Sequence, residues 1–251
     1  MSQGMREYTQ RTAERGHFAI DDVADLEHYC YFVAGTVGKL LTALFRLEVP
    51  ELGPEATEIV EATAVSFGLG LQLVNIVKDV GDDAGREICY LPRDRAAALG
   101  VELERLFDAD QRDAGLALVG ELCDLAERHL AEARRYTLAW PSAEGEAVRL
   151  FCAVPLSLGL ATLREVRTSD ATLRRGDNPK ISREEVASIV RDAVAGAADD
   201  RALEALFDLE PRSGEAERRA EATGEALERA VGLLRDTQDE AGFWKGELQT
   251  N

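Results

Sequence analysis

The 251 residues carry 47 acidic against 29 basic side chains, and the net charge of −18 repels nucleic acid and argues against it as a partner. Hydrophobic residues make up 45% and aromatics only 6%, which supplies one substantial core from a mixture that favours helix over sheet, so the expected class is all-α. Lysine occurs only at Lys39, Lys78, Lys180 and Lys245 and the acids are spread along the chain, the pattern of a solvated, halophilic surface.

In chain order, the first twenty residues are polar rather than signal-like, and no stretch reads as a membrane span. Asp21 and Asp25 read as the charged first turn of an exposed helix start. The run YCYFVAGTVGKLLTALF then predicts a buried helix to about Arg46. Pro50, Gly53 and Pro54 punctuate the chain before a second interior helix, from about Glu55 to Val80. GDDAGREICYLPRD mixes glycine, acid and proline and reads as a helix end with an ordered loop. Helix resumes near Arg93. A long amphipathic helix spans Gln111 to Ala139, on which Leu118, Leu122, Leu125, Leu130 and Ala133 recur at helical spacing. Further helices are predicted over Glu146–Val166, Arg183–Ala197 and Gly214–Asp236, with a polar turn at Gly176–Pro179. Residues 1–210 form the expected helical domain and 211–251 a polar C-terminal helix and tail. Cys30, Cys89, Cys123 and Cys152 show no CxxC pairing, which fits a reduced, cytoplasmic setting.

Within GLGLQLVNIVKDVGDD, Gln72, Asn75, Asp79 and Asp83 are spaced by three, four and four, one stripe of a helix. Two carboxylates and two amides aligned on a buried helix require partners. One solution is a polar seam between helices. The other is a Mg²⁺ site, with Asp79 and Asp83 as hard oxygen ligands, water and a substrate diphosphate completing the shell, and the amides donating to phosphate oxygens. In the second case Lys78 and Arg86 supply positive charge at the mouth. Gly35 and Gly38 serve either close helix packing or room for a ligand.

Four ordered blocks, YCYFVAGTVG, GLGLQLVNIVKDVGDD, FCAVPLSLGLATL and PKIS, resemble the squalene and phytoene synthase family. The last two blocks look more like squalene synthase. The resemblance implies an isoprenoid synthase type helical bundle around a central apolar pocket, and head-to-head condensation of two farnesyl diphosphates to presqualene diphosphate, with NADPH-dependent reduction to squalene. It implies Asp79 and Asp83 as the second aspartate-rich metal motif, with Gln72, Asn75 and Arg86 toward substrate. Tyr29 matches the tyrosine that assists proton removal or steers the first cation. Phe151 matches the aromatic beside the second cation, although a Phe in an apolar helix is ordinarily core. Lys78 and Lys180 match positions that contact the NADPH phosphates.

Two features depart from the pattern. The family's first aspartate-rich motif, DxxED, precedes the Tyr29 block on a helix that this sequence does not contain, so an N-terminal portion is expected to be missing. Leu156 stands where squalene synthases often carry Gln. The alternatives are therefore a phytoene or dehydrosqualene synthase needing no reductant, and a non-catalytic family member or assembly partner. A peripheral membrane contact for product release is a further expectation, and oligomeric state stays open.

Overall fold

Pro54 opens the longest strongly apolar helix of the chain, and what packs on it sets the architecture. The computed structural model describes residues 2–208, whose regular elements are all helical: α1 (Ser2–Arg15), α2 (Val23–Cys30), α3 (Thr36–Glu48), α4 (Pro54–Lys78), α5 (Val80–Ala84), α6 (Arg93–Ala98), α7 (Arg112–Ala139), α8 (Glu146–Thr168), α9 (Arg183–Gly196) and α10 (Asp200–Phe207). A turn of π-helix, Tyr31–Gly35, joins α2 to α3, the Thr36 N–H reaching back five residues to the Tyr31 carbonyl. The expected C-terminal unit, with its helix at Gly214–Asp236, lies outside the described residues.

The core forms where α4, α7 and α8 meet. Leu69, Leu73, Val74 and Val77 of α4 are buried with the predicted α7 stripe of Leu118, Leu122, Leu125, Leu130 and Ala133, and with Ala153, Leu156 and Leu163 of α8. The α3–α4 junction is closer than side chains would permit. A Cβ on Gly38 would lie 2.1 Å from the Ala64 carbonyl oxygen, and one on Gly68 would lie 2.3 Å from that of Ala34. This pairing runs α3 antiparallel to α4, so Tyr29 sits toward the C-terminal end of α4 and Leu47 toward its N-terminal end. Gly38 therefore serves helix packing, one of the two roles its sequence context allowed.

The structure corrects four expectations. The α3 helix is not buried: Leu40, Leu44 and Leu47 are 59%, 49% and 78% exposed, because the glycine side of the helix makes the close contact and the leucines project from the opposite side. Three segments, Val23–Glu48, Pro54–Lys78 and Glu146–Thr168, are long and apolar enough to cross a membrane. The last two bury half of that apolar window within the fold, and the first only 17%. The helix from Pro54 closes at Lys78, and Asp79 occupies a bend with φ −96° and ψ 12° before α5.

Asp25, expected as an exposed first-turn charge, is instead clasped by α1. Arg11 binds both its oxygens, at 2.6 and 2.8 Å, and the Tyr8 hydroxyl donates to it at 2.8 Å. Asp22 is the N-cap, accepting from the Asp25 N–H. Burial alone would raise the Asp25 carboxyl, but the Arg11 hydrogen bonds, the Asp21 N–H and Tyr8 outweigh it and hold it at about 2.

Two outcomes are expected. Gly68→Ala destabilises the fold by about 1–3 kcal/mol in urea denaturation, because backbone rather than a flexible side chain blocks the new methyl. Asp25 is depressed relative to the unfolded chain, so its contribution, on the order of 2 kcal/mol, is complete above the ordinary aspartate range and disappears as pH falls through about 2. Asp25→Asn should therefore lose stability against the parent at pH 7 and approach it near pH 2.

Candidate metal and diphosphate site

Despite the bend at Asp79, the i→i−4 ladder continues through it. The Asp79 N–H donates to the Asn75 carbonyl at 2.9 Å and the Asp83 N–H to the Asp79 carbonyl at 2.8 Å. The stripe read from spacing thus survives, carried over two short-coupled helices rather than one. Its amides are not sealed between helices, however. Asn75 is exposed and Gln72 half-buried, and neither hydrogen-bonds to a neighbouring helix among the described residues. The amide half of the seam has no protein partners among the described residues, and Asn75 faces an open side of the fold.

The carboxylates are held from behind. Asn178, on the loop after α8, directs its Nδ2 to Asp79 Oδ1 at 3.0 Å and to Asp82 Oδ2 at 2.6 Å. Lys78 Nζ meets the same Asp79 oxygen at 3.2 Å, and exposed Arg86 stands 3.7 Å from Asp83. Asp83 is largely buried, and its carboxyl is raised by that burial and by the charge of Asp79, which Arg86 only partly offsets. An acid pushed up beside another acid marks a place short of positive charge.

Among the described residues no three His, Cys, Asp or Glu side chains converge to enclose a metal. The donors nevertheless fit Mg²⁺. They are hard oxygens, they are few, and the Asn178 Oδ1 is buried without a donor beside them. Mg²⁺ commonly takes one or two carboxylates and completes its shell with water and phosphate.

Tyr29 lies at the carboxylate end of the α3–α4 pair, buried, its hydroxyl donating to Tyr90 Oη at 3.3 Å. The rings of Tyr8, Phe18 and Tyr90 pack around it at 5.1, 5.7 and 5.2 Å between centroids. Burial chiefly, then Tyr90 and the more distant charge of Asp83, push the Tyr29 phenol far above its ordinary range. Phe151 is not core: it is 55% exposed and edge-on to Phe45 of α3 at 5.4 Å. Lys180 is exposed two residues beyond Asn178, and Lys78 precedes Asp79, so the Asn178 bridge brings the two lysine-bearing segments together. On the flank of α5 a cleft of about 510 Å³ is lined by Asp83, Tyr90, Phe18, Ile76, Phe107 and Arg175, among others.

Sequence reasoning missed Asp82, Asn178 and Tyr90. Asp82 stood in plain view in GDD but off the stripe. Nothing in the sequence links Asn178 to a helix 99 residues earlier.

Comparison with known proteins adds the family context. The family described as squalene/phytoene synthase matches residues 1–185. The squalene synthase of Schizosaccharomyces pombe is 29% identical over 169 residues, covering 66% of this chain and 35% of that protein. The phytoene synthase of Thermus thermophilus is 46% identical over 83 residues, 33% of this chain and 26% of the relative. Phytoene synthase 2 of Solanum lycopersicum is 35% identical over 114 residues, 44% and 35% of the two chains. This chain thus spans about a third or less of the length of those relatives. Among solved structures, the complex of TcSQS with the ligand BPH1237 shares its fold, with a TM-score of 0.63 at 21% identity over 86% of this chain and 63% of that one.

The crowded carboxylates lead to a measurable expectation. Magnesium diphosphate, supplied as one preformed complex at about hundredfold excess over its Kd, should stabilise the protein by about 2.7 kcal/mol, read as a rise in Tm. Asp79→Asn should remove most of that rise. Because the Asp83 carboxyl is raised, ionised Asp83 costs the metal-free fold stability as pH increases, and protons compete with Mg²⁺ at a higher pH than for an ordinary aspartate. The ion's stabilising effect should weaken correspondingly early on acidification.

Proposed function

This chain belongs to the squalene/phytoene synthase family, and from that membership we propose that it acts in the head-to-head joining of two farnesyl diphosphates to presqualene diphosphate and in its NADPH-dependent reduction to squalene. The observation that carries the reading is the carboxylate pair Asp79 and Asp83, aligned with exposed Asn75 and with the Asp83 carboxyl raised in proton affinity, in a fold that leaves apolar Leu40, Leu44 and Phe151 exposed. That arrangement suits a ligand with a charged head and a long apolar tail.

Asp79 and Asp83 would hold Mg²⁺, which when bound supplies Lewis acidity to the departing diphosphate. The chain's own groups do the rest. Gln72 and Asn75 donate to phosphate oxygens, and Arg86 balances charge at the exposed mouth. The Tyr29 phenol, kept neutral by burial and engaged with Tyr90, acts as an oriented hydroxyl rather than a phenolate. Leu40, Leu44 and Phe151 offer apolar surface that excludes water from a cation. Phe151 adds the negative face of its ring, and Pro155 withholds the N–H that would otherwise bond the Phe151 carbonyl. Lys78 and Lys180 would receive the NADPH phosphates. Lys78 is already drawn to Asp79, which makes Lys180 the freer of the two.

A second reading is favoured by the 46% identity to a phytoene synthase over 83 residues: phytoene or dehydrosqualene formation without reductant. A third, a non-catalytic family member, is supported by the absence, among the described residues, of any group of three His, Cys, Asp or Glu side chains placed to hold a metal. One experiment separates all three. The protein is incubated with farnesyl diphosphate and Mg²⁺, with and without NADPH, in dilute buffer and in concentrated potassium chloride suited to its acidic surface. Presqualene diphosphate without NADPH and squalene with it are expected. Dehydrosqualene under both conditions, or phytoene when geranylgeranyl diphosphate is supplied, supports the second reading, and absence of any product supports the third.

A further inference from the structure

The loop between α8 and α9 does more than connect them. It is pinned at several points: the Thr172 hydroxyl donates to the Val166 carbonyl at 2.6 Å, Arg112 of α7 donates to the Asp170 and Leu173 carbonyls at 3.2 and 3.4 Å, and Leu173 holds φ at +59° with its side chain buried. A bulky residue in that left-handed region is strained, so packing has fixed the path of the chain. The loop then lies directly on α5. A Cβ on Gly81 would come within 2.3 Å of the Arg174 carbonyl oxygen and 2.6 Å of that of Asp177. Asn178 follows, 8% exposed, its own N–H donating to Asp177 Oδ1.

The two hydrogens of the Asn178 amide nitrogen are each accounted for, one on Asp79 and one on Asp82. An amide differs from a lysine or arginine at this place because it restrains two repelling carboxylates without cancelling their charge. It also chooses which oxygen remains. Asn178 and Lys78 both converge on Asp79 Oδ1, so the carboxylate is turned with Oδ2 carrying no protein donor among the described residues. Asp82 gives its Oδ2 to the bridge and lies off the stripe of Asn75, Asp79 and Asp83, so its part is that of an anchor.

We propose that Asn178 is the positioning residue of the cation site: by bridging Asp79 and Asp82 it aims the free Asp79 oxygen at the ion and sets the site's affinity. Its own buried Oδ1, left without a donor, accepts from a water of the ion's shell. This rests on the reading of Asp79 and Asp83 as ligands.

The test uses the whole 251-residue protein and Mn²⁺ as a paramagnetic probe, titrated by EPR with inorganic diphosphate present. Asn178→Ala should weaken Mn²⁺ binding by roughly 10- to 100-fold, the usual effect of removing a group that orients a ligating carboxylate. Thr172→Val loosens the same loop without touching the carboxylates, and should lower Tm while leaving Mn²⁺ affinity unchanged. Asn178→Ser, which can donate only one hydrogen bond, should fall between the parent and the alanine variant, and it serves as the measurement if Asn178→Ala does not fold. Parent-like Mn²⁺ affinity in the folded Asn178 variants, or an equal loss in Thr172→Val, overturns the positioning role. A parent protein that binds no Mn²⁺ overturns the underlying ligand assignment instead.

Discussion

Asp79, Asp82 and Asp83 crowd three carboxylates into little more than one helical turn, and the charge within this group is the constraint around which the described structure is arranged. A helix C-terminus already carries partial negative charge, so a further acid at Asp79 is unfavourable where α4 ends. Lys78 and Arg86 compensate in part from the solvent side. Asn178 compensates from the protein side, by hydrogen bonds that leave the net charge in place. What remains is a fixed anionic pair with a raised carboxyl at Asp83. Such a pair is costly in the free protein, and a divalent cation beside it would offset that cost.

The apolar architecture follows a matching division. The glycine contacts of α3 with α4 spend the small residues on packing and leave the large ones, Leu40, Leu44 and Leu47, facing outward. Ordinary helix packing would bury leucine and expose the remainder. Here the inversion leaves an exposed apolar side on α3, which runs from Leu40 to Leu47 toward the N-terminal end of α4. The function proposed above would give that side a use, since isoprenyl diphosphates join an anionic head to a hydrocarbon chain.

Much of the fold was legible because period and punctuation agree. The α7 and α9 boundaries fall within a residue of those read from periodicity, and Asp22, Ser182 and Asp199 cap helices as their side chains predispose them to. The stripe of Gln72, Asn75, Asp79 and Asp83 was legible for the same reason. Burial was not. A run of leucines indicates a helix that must be covered by something, but glycine–backbone contact decides which side is covered, and that depends on where Ala64 and Gly68 lie on another helix. Asp25 looked like a solvated charge because its partner Arg11 sits on α1, which periodicity did not mark. Asn178 was invisible for a similar reason: an asparagine before a proline reads as a turn, and only tertiary structure brings it to Asp79.

The central claim is that Asp79 and Asp83 form one wall of a cation and diphosphate site whose geometry is fixed from behind. Anomalous scattering from crystals of the protein grown with Mn²⁺ and inorganic diphosphate tests it most directly. The account predicts a manganese peak within coordination distance of Asp79 Oδ2 and of an Asp83 oxygen, with diphosphate on the side of Asn75 and the Asn178 bridge intact. A manganese peak elsewhere, or an Asp79 side chain still paired only with Asn178 and Lys78 while diphosphate binds at another place, would contradict it.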